Sequence, residues 1–341
     1  MRIYLFPAEG RFYKANLHAH STLSDGRLTP EEAKAAYKAA GYSVYAYTEH
    51  GQYYDLRHLD DEDFITLPSY EMDFYKYENP PASYTVRGEE KYTHASIHLN
   101  CFAIDPDKTK KEVPIFDING SAPGGRRSWE AFSVSDVNEG IRRAKEAGFF
   151  VVYNHPHWSN NTGSFYTQLE GLDGIELING ASERSSGMDY VPHVYREMAW
   201  SGKRMICVGG DDNHATHHHF WGFTMIKAAH LDHKSIMEAL QRGDCYTSAG
   251  PEIHALYVED GVLHVSCSEA QAIYFSTSAG YRKAVVRYED NGGVPVTEAS
   301  FALREDDFFF QIIVKDMRGR PAATRLYYLD ERDFGIPTEK K

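Results

Sequence analysis

Four helical stretches of this chain stop at a glycine, and each is followed by an apolar run: residues 30–40 before Gly41, 134–147 before Gly148, 190–201 before Gly202 and 233–242 before Gly243. Glycine accepts the left-handed backbone that ends a helix, so these are true stops. The first helix also has a start, with Thr29 as N-cap, Pro30 in the first turn and Glu32 at the capping-box position. Strand–helix alternation of this kind, sustained to about residue 245, predicts a parallel sheet or barrel. Beyond residue 253 the pattern changes. Short alternating runs at 253–259, 262–267, 272–277, 308–315 and 324–328 are broken by Asp260-Gly261, Asn291-Gly292-Gly293 and Arg318-Gly319. That pattern predicts an antiparallel β-sandwich. At 341 residues the chain exceeds a typical single core, and it divides into residues 1–250 and 251–341. The stretch 75–125 is long, rich in Pro, Gly and Tyr, and weakly periodic outside 94–105. It is expected to form part of the mouth over a site.

The strands of the first region end in metal-binding residue types. The run 13–20 closes with His18 and His20, which period-two geometry points to one side, and Asp25 follows. The next strand, 43–48, leads into Thr48-Glu49-His50. The run 64–70 ends in Glu71, 95–104 contains His98, 149–154 leads into His155-Pro156, and 205–210 leads into Asp212 and His214. Six histidines, two aspartates and a glutamate exceed what one four-coordinate ion can use. They suit two or three divalent ions (Zn, Mn or Fe) sharing a bridging carboxylate. Water bridging such ions becomes a hydroxide nucleophile at neutral pH. The chain has neither a Gly-x-Ser-x-Gly elbow nor a Walker-type loop; Gly124-Gly125-Arg126-Arg127 lacks the lysine and the spacing.

Composition narrows the partners. A net charge of −13 disfavours a nucleic-acid surface, whose affinity comes from neutralising phosphates. A small anionic substrate stays compatible, because bound cations reverse the local sign. The cysteines Cys101, Cys207, Cys245 and Cys267 are scattered without a C-x-x-C pair, which argues against a disulfide framework. No apolar run approaches a membrane span, and the first residues are too weakly apolar for a signal peptide. A cytoplasmic enzyme without membrane partners is the expectation, and the oligomeric state stays open.

In this order, H-x-H-S, Asp, T-E-H, P-S-Y-E, H-L-x-x-x-x-I-D, N-H-P and G-x-D-x-H resemble the motifs of the PHP superfamily, the polymerase-and-histidinol-phosphatase metal-dependent phosphoesterases. The likeness covers about residues 12–245. The Tyr246–Pro251 string and the β region behind it look closest to the branch with carbamate hydrolases and two-domain proteins. The resemblance implies an α/β fold, a distorted seven-stranded (β/α) barrel with metals at its C-terminal face, followed by a small all-β sandwich. It implies His18, His20, Glu71 and Asp212 on a first ion. Glu71 would bridge to a second ion with His98 and His155, and Asp25, His50 and His214 would hold a third. The expected activity is hydrolysis of a small phosphate ester, with Glu71 central to catalysis. A carbamate, ester or amide hydrolase would use the same ligands, and a metal-stabilised binding module is the remaining alternative. Exonuclease activity, also known in the superfamily, conflicts with the acidic balance.

Residues outside the ligand set are expected to read the substrate. Arg126, Arg127 and Arg184 carry guanidinium forks that suit phosphate or carboxylate, although loop arginines are commonly just solvated. His157, after His155-Pro156, is a candidate acid, and Trp158 could shape the pocket; packing within the loop explains both equally well. His217-His218-His219 is better read as a loop than as an extra metal site. Asp211 should point away from its neighbour Asp212, and Tyr45 and Tyr47 read as strand packing.

Overall fold

The computed structural model describes residues 2–74, 83–86, 89–92, 96–109, 132–188, 190–279 and 284–336. Arg126, Arg127 and most of the 75–125 stretch lie outside the described residues. The architecture is mixed α/β, with several sheets and few helices. A five-stranded sheet runs in the order Ile206–Gly210, Gly174–Asn179, Phe149–Tyr153, Ile97–Ala103, Ser69–Phe74. A ten-stranded sheet passes from Ala284–Arg287 through Ala272–Thr277, Phe309–Lys315, Pro321–Thr324, Cys245–Ser248, Phe223–Ala228, Arg11–Asn16 and Val44–Ala46 to Ile65–Leu67, with Tyr327–Tyr328 paired beside it.

Only part of the pairing is parallel, and this corrects the simple alternating picture. Ile97–Ala103 runs antiparallel to both its neighbours, and Phe223–Ala228 is antiparallel to Arg11–Asn16. No helix lies between Phe74 and Ile97 among the described residues; the backbone forms the hairpin Ser83–Val86 and Glu89–Tyr92 there. A chain that returns without a crossover helix pairs antiparallel. His98 accordingly stands near the start of its strand rather than its end, yet at the same edge of the sheet as the other candidates. Glu71 lies inside the strand Ser69–Phe74, one face of which it shares with Asp73. The two sheets adjoin at Pro68, which interrupts the run from Ile65–Leu67 to Ser69–Phe74. On the other side a parallel bridge joins Ala19 to Asn213.

The helices follow their local signals. Pro30–Ala39 has the Thr29–Glu32 capping box, and Val134–Glu146 has one between Ser133 and Asp136. His233–Arg242 stops at Gly243, whose φ of 74° is left-handed. Pro192–Trp200 starts two residues later than its apolar pattern, and Gly180–Ser186 is a short helix where a loop is expected. No described helix is long and apolar enough to cross a membrane.

Behind the helices, Arg2–Tyr4, Ile253–Glu259, Val262–Ala270 and Val296–Ala302 form an antiparallel four-stranded sheet. Its inner face packs on the far half of the ten-stranded sheet: Leu256, Val265 and Phe301 meet Ile273, Phe275 and Ile312 in one core, with Phe275 and Phe301 stacked 5.3 Å apart. Each such side chain contributes about 1.5–3 kcal/mol on burial. Both sheets pair strands from either side of residue 250: Cys245–Ser248 with Pro321–Thr324 in the ten-stranded sheet, and Arg2–Tyr4 with Ile253–Glu259 in the four-stranded one. All four cysteines are buried and free.

Candidate metal centre

The Gly209-Gly210 pair explains how distant segments meet. A Cβ on Gly210 would come within 2.6 Å of the His18 backbone nitrogen, and one on Gly209 within 2.2 Å of Thr247 Oγ1. Without side chains there, the chain leaving Ile206–Gly210 closes on the first strand, and Asp212 N–H donates to His18 O at 2.7 Å. Asp212 and His155 take positive φ values of 51° and 24°. Such backbone is costly for non-glycine residues and collects where surrounding structure enforces it. Here it accompanies two side chains turned into the cluster.

Glu71 is the hub. Its carboxylate is fully buried and is approached by five imidazoles: His18 Nε2 at 3.2 Å, His20 Nε2 at 3.5 Å, His50 Nδ1 at 2.9 Å, His98 Nδ1 at 3.2 Å and His155 Nε2 at 3.5 Å. Asn154 Nδ2 donates to it at 2.8 Å. Asp212 is a second convergence point, with Oδ1 3.3 Å from His18 Nε2 and 3.1 Å from His20 Nε2. Asp25 Oδ1 stands 3.6 Å from His50 Nε2 and 3.4 Å from His214 Nε2, and the His20 ring stacks against both the His50 and the His214 ring at 4.3 Å from each. All nine sequence-derived ligand candidates therefore converge, and His20 adjoins the Asp25 group as well as the Glu71 group.

Two carboxylates that sequence reasoning missed complete the wiring. Glu176 Oε1 lies 3.0 Å from His18 Nδ1, while its other oxygen accepts from His155 N–H at 3.0 Å and Asn179 Nδ2 at 2.8 Å. Asp73 lies 3.0 Å from His50 Nδ1. An ionised carboxylate only accepts, so Nδ1 of each of these imidazoles donates to it, and Nε2 is the nitrogen left to ligate once a cation displaces its proton. His214 does the same by donating Nδ1–H to Asp212 O at 2.9 Å. The signals were present: Glu71-x-Asp73 has strand period, and Glu176 is an acid inside the apolar run Gly174–Asn179.

The charges oppose one another. Burial alone would lower His18, yet Asp212, Glu176 and Glu71 hold it well above the ordinary imidazole range. Burial and the neighbouring rings of His50 and His214 push His20 down to about 3. Against burial, the surrounding histidines keep Glu71 and Asp212 well below the usual carboxylate range. His18 Nε2 and His20 Nε2 are buried and hydrogen-bonded to nothing, although carboxylate oxygens lie nearby. Buried polar atoms normally find partners. Imidazole nitrogens without hydrogen bonds, beside carboxylates shared by several rings, are the donor set that borderline divalent cations take, so the residues fit the metals that the sequence implies.

A cavity of about 340 Å³ opens over the cluster, lined by Asp25, His50, His98, His155, Asp212 and His214 below and by Trp158, Ala181, Ser182, Ser185 and His218 above. His157 is exposed, 6.0 Å from the His193 ring, and does not line this cavity. Arg184 is also turned elsewhere: its Nε donates to His217 O at 3.1 Å and its guanidinium lies 5.4 Å from the Trp221 ring. Asp211 points away from the cluster, accepting from Tyr37 Oη, Phe220 N, Trp221 N and Gly222 N at 2.6–2.8 Å. Tyr45 and Tyr47 are buried packing residues.

No family model and no curated protein matches the chain. Among solved structures it is similar to a two-domain protein containing a predicted PHP-like metal-dependent phosphoesterase from Bacteroides vulgatus (14% identity, 92% of this chain and 94% of that one covered, TM-score 0.45). It is also similar to an amidohydrolase from Chromobacterium violaceum (17% identity, 59% and 88% covered, TM-score 0.37). A third is a lesion-specific endonuclease from Pyrococcus furiosus (12% identity, 67% and 56% covered, TM-score 0.37).

Proposed function

We propose that this chain is a PHP-type metal-dependent hydrolase acting on a small phosphate ester. Residues 1–250 would be the distorted seven-stranded barrel and 251–341 an accessory β-sandwich. The observation that carries the reading is the Glu71 carboxylate, buried among five imidazoles. In this reading His18, His20, Glu71 and Asp212 hold one ion, Glu71 with His98 and His155 a second, and Asp25, His50 and His214 a third. Divalent ions bound there would supply a water acidified to a nucleophile at neutral pH and positive charge for the oxygens of the group under attack. The chain's own part is to keep the ligands aimed. Glu176 and Asp73 hold the Nδ1 protons of His18 and His50, so each Nε2 is the nitrogen that would ligate. Trp158 and the short helix Gly180–Ser186 wall the cavity and restrict what enters.

One observation favours a second reading, a carbamate, ester or amide hydrolase: no arginine or lysine lines the cavity among the described residues. Stripped protein reloaded with Zn, Mn or Fe, assayed against phosphomonoesters, phosphodiesters, carbamates and carboxylic esters, separates the two. Metal-dependent turnover of phosphate esters supports the first reading, and turnover confined to carbamates or esters supports the second. A folded protein that takes up no metal would sink both.

A further inference from the structure

The upper wall of the cavity contains a hydrogen-bond chain whose direction is fixed. His214 N–H, which can only donate, points at His218 Nδ1 at 3.2 Å. His218 Nδ1 is therefore an acceptor, and the neutral ring carries its proton on Nε2. Nε2 lies 3.1 Å from Ser185 Oγ, so it donates to that oxygen. The Ser185 hydroxyl then keeps its own proton to give, and no described side chain or carbonyl receives it. Ser185 and His218 both line the cavity above Asp25, His214 and Asp212. Arg184, next in sequence, clamps the opposite side of the same contact by donating to His217 O. The short helix and the 216–218 turn are thereby held in register.

We propose that Ser185 donates its hydroxyl proton to a phosphoryl oxygen of the bound substrate, with His218 as the positioning residue that fixes the hydroxyl's direction. The proposal rests on the phosphate-ester reading and adds to it the residue that recognises the anion in place of an arginine. A hydroxyl on an anionic oxygen is a charge-assisted bond, and its loss should weaken binding about tenfold.

The probe is inorganic phosphate, titrated calorimetrically into the full chain loaded with Mn, with metal content measured alongside. Ser185→Ala should weaken phosphate affinity about tenfold at unchanged metal content, and Ser185→Thr, which keeps the hydroxyl, should restore most of it. His218→Phe should lose as much as Ser185→Ala, and the double variant should lose no more than either alone, because both act through one contact. His218→Gln retains an N–H donor and covers the case in which the phenylalanine variant misfolds. Unaltered affinity in Ser185→Ala, or additive losses in the double variant, would overturn the proposal. Metal-loaded wild-type protein that ignores phosphate would also overturn it and leave a metallohydrolase of another substrate class. Absence of metal uptake would instead remove the underlying reading.

Discussion

Two cavities lie at opposite ends of the same strands, and they differ in how their charges are settled. The one beyond His155 and Asp212 measures about 340 Å³, and the one beside Phe150, Met205 and Ile206 about 630 Å³. In the larger, Arg204 pairs with Asp330, Arg242 with Asp244 and Arg325 with Glu331, the last through two bonds of 2.7 and 2.8 Å. In the smaller, five imidazoles crowd one carboxylate and two buried ring nitrogens lack hydrogen bonds. Volume points to one end and convergent ligand chemistry to the other. Charges paired one to one stabilise; several ligand-type groups crowded on one carboxylate make a site for a cation.

The sharpest way to break this contrast is Glu71→Gln. It removes the charge that five rings share, so turnover should fall at least about a hundredfold with loss of more than one ion. Metal analysis and steady-state kinetics beside His98→Ala would show it, and full metal content with unaltered turnover would refute the assignment. Glu176→Gln comes next. It leaves the ligands in place but weakens the hold on His18 Nδ1, and a chelator competition should read roughly a 10–100-fold loss of metal affinity.

The pH dependence has a definite sign. Although burial opposes it, nearby carboxylates raise His18, His50 and His98 above the ordinary imidazole range when no cation competes. Protons must therefore leave as metal enters, so affinity should fall as pH falls, by roughly tenfold per unit for each proton displaced. Proton release during metal titration in weak buffer measures the number; none released would contradict the wiring. The smallest effect on the site belongs to Arg325→Ala at the other end. Stranding Glu331 should cost about 1–3 kcal/mol of stability in a denaturant melt, with metal content and turnover unchanged.

The nine candidate ligands were legible because most sit where a strand pattern breaks, and period two says which way His18 and His20 point. Asp73 and Glu176 were not, because a lone acid in an apolar strand acquires meaning only when its neighbour in space is known. The helix end at Arg242 could be read from Gly243, which is a local signal. Antiparallel entry of Ile97–Ala103 could not, since strand direction depends on a connection rather than on the strand's own residues. His157 and Arg184 show the same limit: a suitable side chain beside a ligand says nothing about where its tip goes.

The pairing of Arg2–Tyr4 with Ile253–Glu259 sets an order of events during synthesis. Arg2–Tyr4 cannot find its neighbour until about 250 further residues have been made. Contacts of such long sequence separation form slowly, and a partly made chain exposes unpaired strands meanwhile. Every candidate ligand, from His18 to His214, is translated before that closing partner exists. The cluster can therefore begin to gather while the edge of the fold is still open, and Arg2–Tyr4 should be among the last strands to dock.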